Sequence, residues 1–393
     1  MKLNSKDEFD DSIELTKIAF MTAGFELGET KYYFIKWLYY FNVLWLYIDV
    51  FGEFSWLAEG VRMGKGLDEL SMNTPCFAMC LLATAKILPF FFNEQIFKKA
   101  VQTLRSIHPD EGESEDVDRK IVIESQKILK LVNKFFFVAT MGAIVLFCCE
   151  PITLMGYEYY NTGDVKLKFP FLVQYVLFDA YANITIWIFM YVHQIWSTVI
   201  VCVFLFAADT LFYAFCMFLR MHFRILGRQL ENVVSPSPEE TRKNMRKCVQ
   251  KHQELIELVN LLEILYSKST LFNIISGSIL LCFDGFTIMV VQKTGTMLKF
   301  ASFLLMSLTQ VFLLCCFGDL LMSSSVQISE AVYSCRWYDA EPAIRSSVLI
   351  ILIRSQKPCK VTACNFADLN LSAFTTILSR SYSCFALLKT MYG

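Results

Sequence analysis

Long apolar runs alternate with polar, charged segments along most of the chain. A helix needs about 20 apolar residues to cross a bilayer core roughly 30 Å thick, and seven runs satisfy this length. They are residues 35–57, 71–92, 135–156, 182–219, 270–291, 297–322 and 369–392. This pattern predicts an all-α integral membrane protein with seven transmembrane helices.

The composition agrees with a membrane protein. The 393 residues are 55% hydrophobic and 19% charged, whereas soluble domains average about 45–50% apolar and about 25% charged. The net charge of −1 gives no basic surface for nucleic acid. Most of the 14 cysteines lie inside apolar runs without paired spacing, which argues against a disulfide scaffold.

Motifs for enzymatic chemistry are missing from the sequence. There is no Gly-rich phosphate loop, no HExxH and no Ser/His/Asp order. His193 and Asp209 share the fourth run without further ligands at metal spacing, so a packed core histidine is the favoured interpretation. We therefore predict a protein that is not an enzyme and needs no cofactor.

Lys and Arg concentrate in alternate connections between the runs. The connection between the fourth and fifth runs holds nine of them, whereas Lys293 is the one between the fifth and sixth. The segment before the first run and the connections after the second and sixth runs are basic too. Because basic loops stay in the cytoplasm, we expect a cytoplasmic N-terminus and, after seven spans, an extracellular C-terminus.

A seven-span metabotropic receptor coupled to a G protein is the alternative interpretation. Such a receptor has its N-terminus outside and is expected to carry Asn-Pro in its last span, a dipeptide that this sequence lacks. The pair Asp118-Arg119 lies in an acidic charge run, where we expect it to be solvated.

Several helices should extend beyond the membrane. At about 1.5 Å per residue the fourth run alone would span about 57 Å, and its basic end at Arg220, Arg224 and Arg228 should continue as helix. Residues 235–238 (Ser-Pro-Ser-Pro) should end that segment, and Ser237 with Glu240 has the spacing of a capping box for the next helix. Another short helix is predicted near 341–354. These helices could pack within the chain or contact another subunit, and the sequence leaves both open.

The last run carries small and hydroxyl-bearing residues along one helical line. At 100° per residue this line holds Ser372, Thr375, Thr376, Ser379, Ser383, Ala386, Leu387 and Thr390. We call it the hydroxyl stripe. Such a stripe more often packs against another helix than lines water, although hydroxyls can hydrate a pore. Leu387 and Met391 bracket Thr390 with the apolar bulk that a hydrophobic gate needs.

Three sequence motifs occur in the last third of the chain. They are GDLLMSSSVQISEAVYSCRWYD at 318–339, RSQKP at 354–358 and SYSCFALL at 381–388. With these motifs the chain resembles the insect odorant receptor family, specifically over about residues 310–390. The family often has Tyr-Pro-Phe-Asp before its fourth span, whereas residues 175–179 here read YVLFD.

The resemblance implies a ligand-gated cation channel, in which an odorant-specific subunit joins a shared co-receptor subunit in a tetramer. The last span of each subunit would line the pore, which reverses the preference for packing. Pore or gate positions are then Ser379, Ser383, Leu387, Thr390 and Met391. The resemblance also implies the plasma membrane of olfactory sensory neurons.

The implied architecture divides the chain into four parts. They are a cytoplasmic segment at 1–34, the ligand-binding bundle with its extensions at 35–333, a cytoplasmic anchor region at 334–366 and the pore helix at 367–393.

By resemblance, the odorant pocket lies in the outer half of the bundle, between spans two to six. An apolar, aromatic-lined cavity would suit a volatile hydrophobic ligand, and Trp187 or Tyr191 could donate one orienting hydrogen bond. Bundle packing is the alternative role for each candidate. The candidates are Met72, Cys76, Phe77, Cys80, Phe147, Cys148, Trp187, Ile188, Tyr191, Phe283, Phe300, Phe303 and Leu304.

Overall fold

The computed structural model describes residues 5–27, 33–109, 116–175, 179–290 and 294–392, most of them helical. The helices are α1 (Ser5–Ser12), α2 (Glu14–Ala23), α3 (Tyr33–Arg62), α4 (Leu67–Ser71), α5 (Thr74–Phe92), α6 (Glu94–Ser106), α7 (Asp116–Thr162), α8 (Ile184–Glu231), α9 (Pro238–Val290), α10 (Thr294–Ser334), α11 (Pro342–Ser355) and α12 (Leu371–Tyr392). A 3-10 turn at Trp337–Asp339 precedes α11, and an isolated antiparallel bridge joins Thr362 and Asp368 before α12.

The seven predicted spans correspond to α3, α5, α7, α8, α9, α10 and α12, which confirms the all-α membrane fold. Five described helical segments are long and apolar enough to cross a membrane by length and composition alone, and these contain α5 and α7 to α10. Helices α3 and α12 are not among these five described segments.

The two ends of the bundle differ. We call one end the loop end, where α3 ends, α5 begins and the α7–α8 loop (residues 163–183) lies. The opposite end, where α8 ends, α9 begins and α11 lies, is the extension end. Helices α7, α8 and α9 have 47, 48 and 53 residues. At about 1.5 Å per residue each exceeds 70 Å, so they project well beyond a bilayer core of about 30 Å.

Helix α8 is the central element of the bundle. In its most apolar stretch 83% of the residues are buried, and it packs against α10, α7, α2, α5 and α9. Its basic end is helical through Arg220, Arg224 and Arg228, as predicted. The predicted break follows, and α9 begins at Pro238 with the Ser237 hydroxyl accepting from the Glu240 backbone N–H at 3.4 Å. Helix α11 confirms the helix predicted near 341–354.

A buried ion pair joins three helices in the middle of the bundle. The Lys86 ammonium on α5 lies 2.5 Å from an Asp209 carboxylate oxygen on α8, and the Gln310 amide on α10 donates to the other oxygen at 2.5 Å. All three side chains are buried. Because an isolated buried charge is very costly, this pairing fixes α5, α8 and α10 in register.

The structure corrects two expectations near the extension end. Asp118 is buried and pairs with Arg228, rather than standing in a solvated run, because α7 begins at Asp116 and packs along α8. The N-terminal segment, for which no helix was predicted from the sequence, forms α1 and α2. Phe9, Ile13 and Phe20 are buried there.

Replacing Lys86 should destabilise the bundle. Lys86→Met leaves Asp209 buried without its cation, which costs about 3–5 kcal/mol, so the thermal midpoint of the purified protein in detergent should fall markedly. Lys99→Met is the matched control, because Lys99 pairs with Glu257 at an exposed position and such pairs contribute about 0–1 kcal/mol. Equal midpoints for the two variants would contradict this role of the buried pair.

Candidate ligand site and pore helix

A small hydrophobic cluster lies at the loop end, separate from the main core. Cys76 of α5, Phe147 and Cys148 of α7 and Phe171 of the α7–α8 loop form it, with Phe303 of α10 packed against them. The Phe147 ring lies 5.2 Å from that of Phe303 and 6.1 Å from that of Phe171. We call these five residues the loop-end cluster. Four of them were predicted as pocket residues.

The α7–α8 loop covers this end because hydrogen bonds hold it to two helices. The Asn73 side chain donates to the Leu172 carbonyl at 2.9 Å and accepts from the Leu172 N–H at 3.1 Å. The Gln174 N–H donates to the Gly52 carbonyl at 3.1 Å. A Cβ on Gly52 would lie 2.2 Å from Val173, so only glycine permits this approach. Residues 176–178 of the YVLFD segment lie outside the described residues.

A buried polar network surrounds Asp49 on α3. Tyr175 donates to Asp49 at 2.7 Å and Ser197 donates at 2.5 Å, while the His193 ring nitrogen lies 3.0 Å away. Burial, with the Asp49 carboxylate nearby, raises the pKa of the Tyr175 phenol, so the loop tyrosine remains a neutral donor.

His193 is packed as a core side chain. Its ring stacks on that of Trp45 at 4.5 Å between ring centres. The polar partners of Asp209 are Lys86 and Gln310. Among the described residues, no group of three His, Cys, Asp or Glu side chains is placed to hold a metal. The interpretation of His193 as a core histidine agrees with this geometry.

The two predicted orienting donors already have partners. Tyr191 donates to the Cys148 carbonyl at 2.6 Å, and the Trp187 indole donates to the Lys168 carbonyl at 3.3 Å. Lys299, which the sequence did not single out, donates to the Pro170 carbonyl at 2.6 Å and lies 4.3 Å above the Phe147 ring. Its ammonium is also 3.6 Å from a Glu150 carboxylate oxygen.

The remaining predicted pocket residues lie at several places. Cys80 is in the main core, and Phe77 and Leu304 pack against that core. Phe300 is buried, with its ring 6.3 Å from that of Phe303. Phe283 is half-buried, and Met72 and Ile188 are exposed in the single chain. The structure thus brings Cys76, Phe147, Cys148, Phe300 and Phe303 together and leaves Met72 and Ile188 apart.

Two buried carboxyl groups near the cluster were missed from the sequence. Glu53 of α3 and Asp284 of α9 are fully buried. Neither carboxyl oxygen of either residue has a hydrogen-bond partner among the described residues. The available signal was their position inside the first and fifth apolar runs, because ionisable residues within membrane spans are rare and commonly functional.

The hydroxyl stripe of α12 is exposed in the single chain, apart from the half-buried Ala386. The opposite face packs inward: Ile377 is buried, the Phe374 ring lies 5.5 Å from that of Phe312, and Phe385 packs beside Gly285. The stripe therefore does not serve packing within this chain.

Each predicted pore position with a described side chain is exposed, namely Ser379, Ser383, Leu387 and Thr390, whereas the side chain of Met391 lies outside the described residues. The hydroxyls of Thr375, Thr376, Ser383 and Thr390 donate to carbonyls of their own helix at 2.8–2.9 Å.

Gly318, which begins the longest of the three motifs, allows the start of α12 to approach α10. A Cβ at this position would lie 2.3 Å from the Leu369 carbonyl oxygen, so a larger residue would push the two segments apart. The motif thus sets the position of α12.

Two solved structures of an insect olfactory receptor have this helical arrangement. The structure of OR5 from Machilis hrabei in complex with eugenol aligns over 98% of this chain and 99% of its own, with a TM-score of 0.82 at 15% identity. A second structure of the same receptor aligns over 98% of both chains with a TM-score of 0.81 at 15% identity. The fold is therefore that of an insect olfactory receptor.

Sequence comparison gives the family. The 7tm Odorant receptor family model matches residues 66–382. Odorant receptor 67c of Drosophila melanogaster is 24% identical, covering 90% of this chain and 86% of its own length. Odorant receptor 85b of the same species is 32% identical over 47% of this chain and 48% of its own. The chain belongs to the 7tm odorant receptor family, a family of receptors rather than enzymes.

Removing the Asn73 side chain should loosen the loop. Asn73→Ala loses both hydrogen bonds to Leu172, which together contribute about 1–3 kcal/mol, so hydrogen–deuterium exchange at residues 168–175 should accelerate. Asn161→Ala is the control, since Asn161 is exposed and bonds only the carbonyl of Tyr157 one turn earlier. Unchanged exchange in the Asn73 variant would mean that other contacts hold the loop.

Proposed function

We propose that this odorant receptor is the odorant-binding subunit of a ligand-gated, non-selective cation channel. It assembles with a co-receptor subunit, as a heterotetramer, in the plasma membrane of olfactory sensory neurons. The exposed hydroxyl stripe of α12 carries the proposal. Six hydroxyl-bearing side chains on the outside of a membrane helix gain little against lipid, whereas water or a neighbouring subunit can donate hydrogen bonds to their oxygens.

The orientation follows from the distribution of basic residues. We place the N-terminus and the extension end in the cytoplasm, and the loop end and C-terminus outside the cell. The nine Lys and Arg between the fourth and fifth apolar runs, which lie on the end of α8 and the first part of α9, are then at the cytoplasmic side. The loop-end cluster faces the extracellular half, where a volatile molecule arrives.

The anchor region supplies a surface for subunit contact. Tyr338, Leu349, Ile350 and Ile353 are each more than half exposed in the single chain. Large apolar side chains that share one end of a molecule usually mark a protein interface. We assign residues 334–366 to contacts with other subunits, and residues 367–393 to the central pore.

The loop-end cluster is the proposed ligand site. Its three phenylalanine rings and two thiols form the apolar surface on which small organic ligands bind. The Machilis hrabei receptor of the same fold is described in complex with eugenol, a small aromatic molecule. The thirteen sequence-derived pocket residues remain the wider candidate set around this cluster.

Gating requires that the ligand bind the open state more tightly than the closed one. A switch from 1:99 to 99:1 in favour of opening needs about 5.5 kcal/mol of differential affinity. Helix α9 can transmit this preference, because it packs against both α5 and α12. Movement of α12 would widen the apolar constriction at Leu387 and Met391.

Co-expression tests the channel. Cells that produce the receptor with an insect odorant co-receptor should show inward cation currents when a panel of volatiles is applied. Cells with the co-receptor alone should not respond to the same panel. A response that needs G-protein signalling, or that occurs with an extracellular N-terminus in a protease-protection assay, would favour the metabotropic alternative.

Cysteine modification tests the pore assignment. Ser383→Cys places a thiol on the exposed stripe, so a charged methanethiosulfonate reagent should change odorant-evoked current by a large fraction. Ser381→Cys is the matched control, because Ser381 is two residues away, buried and bonded to the Ile377 carbonyl. Equal insensitivity of both variants in channels of normal amplitude would exclude a water-lined stripe.

A further inference from the structure

A cavity of about 400 Å³ lies where α2 ends, α3 begins and α5 is followed by α6. Its volume is within the range of about 300–1,000 Å³ found for pockets that hold small organic molecules. The end of α2 approaches α3 closely there, because Gly24 has a φ of 91° and a Cβ on it would lie 2.4 Å from the Tyr39 backbone nitrogen. None of the described residues that line the cavity belongs to the loop-end cluster.

The cavity lies at the depth of a membrane surface. The first two apolar runs, 35–57 and 71–92, each have one end at it. Tyr39 lines it from near the start of the first run, and Phe91 lines it from the end of the second. The lining residues of α6 follow the second run and lie outside it. The boundary between the hydrocarbon core and the polar lipid head groups therefore passes through the cavity.

Aromatic rings form the apolar wall of the cavity. The Tyr39 ring stacks on that of Phe91 with 4.9 Å between their centres, and the Phe25 ring lies 5.0 Å from that of Tyr39. Trp37 and Phe92, each next to a lining residue in the sequence, are 74% and 75% exposed in the single chain. Aromatic residues at the end of a span commonly lie at the level of the head groups. The wall is therefore placed to receive an acyl chain.

Two lysines and a glutamate form the polar side of the cavity. The Lys36 ammonium lies 3.3 Å from one carboxylate oxygen of Glu94, and the Lys98 ammonium lies 2.6 Å from the other. Each ammonium has three N–H donors and makes this one polar contact among the described residues. Two donors on each lysine are left for a further acceptor. Glu26 also lines the cavity, so the charges of its two lysines and two glutamates sum to zero.

We propose that this cavity binds a phospholipid with a neutral, zwitterionic head group, whose phosphate accepts hydrogen bonds from Lys36 and Lys98 and whose acyl chain lies along the Tyr39–Phe91 wall. The inference goes beyond the proposed channel, because this lipid is bound at the opposite end of the spans from the odorant. A phosphate diester has two charged oxygens, one for each lysine, and such charge-assisted hydrogen bonds are about twice as strong as neutral ones.

The chemistry of the cavity selects this occupant over two others. A free phosphate ion would satisfy the lysines but would leave the aromatic wall without an apolar partner. A phospholipid with a negatively charged head group would bring a net negative charge to a lining whose own charges cancel, next to the carboxylates of Glu26 and Glu94. Phosphatidylcholine and phosphatidylethanolamine have the phosphate, the acyl chains and no net charge.

The test uses the full-length receptor purified in detergent, with phosphatidylcholine as the probe. Native mass spectrometry should find one more bound phosphatidylcholine per chain on the unmodified receptor than on Lys36→Gln/Lys98→Gln, which lacks both cations. Added phosphatidylcholine should raise the thermal midpoint of the receptor, and the double variant should need at least tenfold more lipid for a half-maximal rise. Inorganic phosphate at the same concentration should give no such rise.

Two further double variants separate lipid binding from folding. Lys99→Gln/Lys130→Gln removes two exposed lysines on the same side of the spans, which pair with Glu257 and Asp11, and should keep the bound lipid. Lys36→Arg/Lys98→Arg preserves both positive charges and their donors and should keep it too. Similar thermal midpoints of all variants without added lipid would show that each is folded.

Three results would overturn this inference. The first is an equal number of bound phosphatidylcholine molecules on the receptor and on the glutamine double variant. The second is a rise of the thermal midpoint with inorganic phosphate that equals the rise with phosphatidylcholine, since the aromatic wall would then contribute nothing. The third is tighter binding of phosphatidylglycerol, which is negatively charged, than of phosphatidylcholine. The channel proposal does not depend on these results, because no readout uses an odorant or a current.

Discussion

The buried carboxylate of Asp209 constrains the whole bundle. Helix α8 passes through the centre, so a charge on it cannot reach solvent and must find its partners on neighbouring helices. Lys86 and Gln310 supply them from α5 and α10. Once these helices are fixed in register, α5 presents Cys76 and α10 presents Phe303 to the same place at the loop end. A structural ion pair near the core thus determines the geometry of the proposed ligand site further along the same helices.

The sequence predicts most of the fold because membrane spans and helix boundaries leave local signals. Apolar length located the seven spans, and the Ser-Pro-Ser-Pro segment located the junction between α8 and α9. The N-terminal helices were missed because Phe9, Ile13 and Phe20 lie among acidic residues that lower the mean hydropathy. The burial of Asp118 depends on Arg228, a contact between residues far apart in sequence that no local pattern encodes.

The candidate site was less predictable. Depth along each span suggested Cys76, Phe147, Cys148 and Phe303, which do meet, but depth alone could not tell which side of a helix faces the bundle. Ile188, for example, lies at a similar depth in its helix but is exposed. Phe171 comes from a loop whose position depends on Asn73 and Gly52. The sequence predicted an apolar pocket for a volatile ligand, and this expectation did not select the two carboxyl residues Glu53 and Asp284.

The hydrogen bonds within α12 determine which chemical face its stripe shows. Thr375, Thr376, Ser383 and Thr390 each give their hydroxyl proton to a carbonyl of the preceding turn. The lone pairs of these hydroxyl oxygens can then accept hydrogen bonds from outside the helix. Such a surface presents partial negative charge without any ionised group, so it can replace water around a passing Na⁺ or K⁺ while offering little to an anion. A preference for cations can thus arise from the direction in which four hydroxyl protons point.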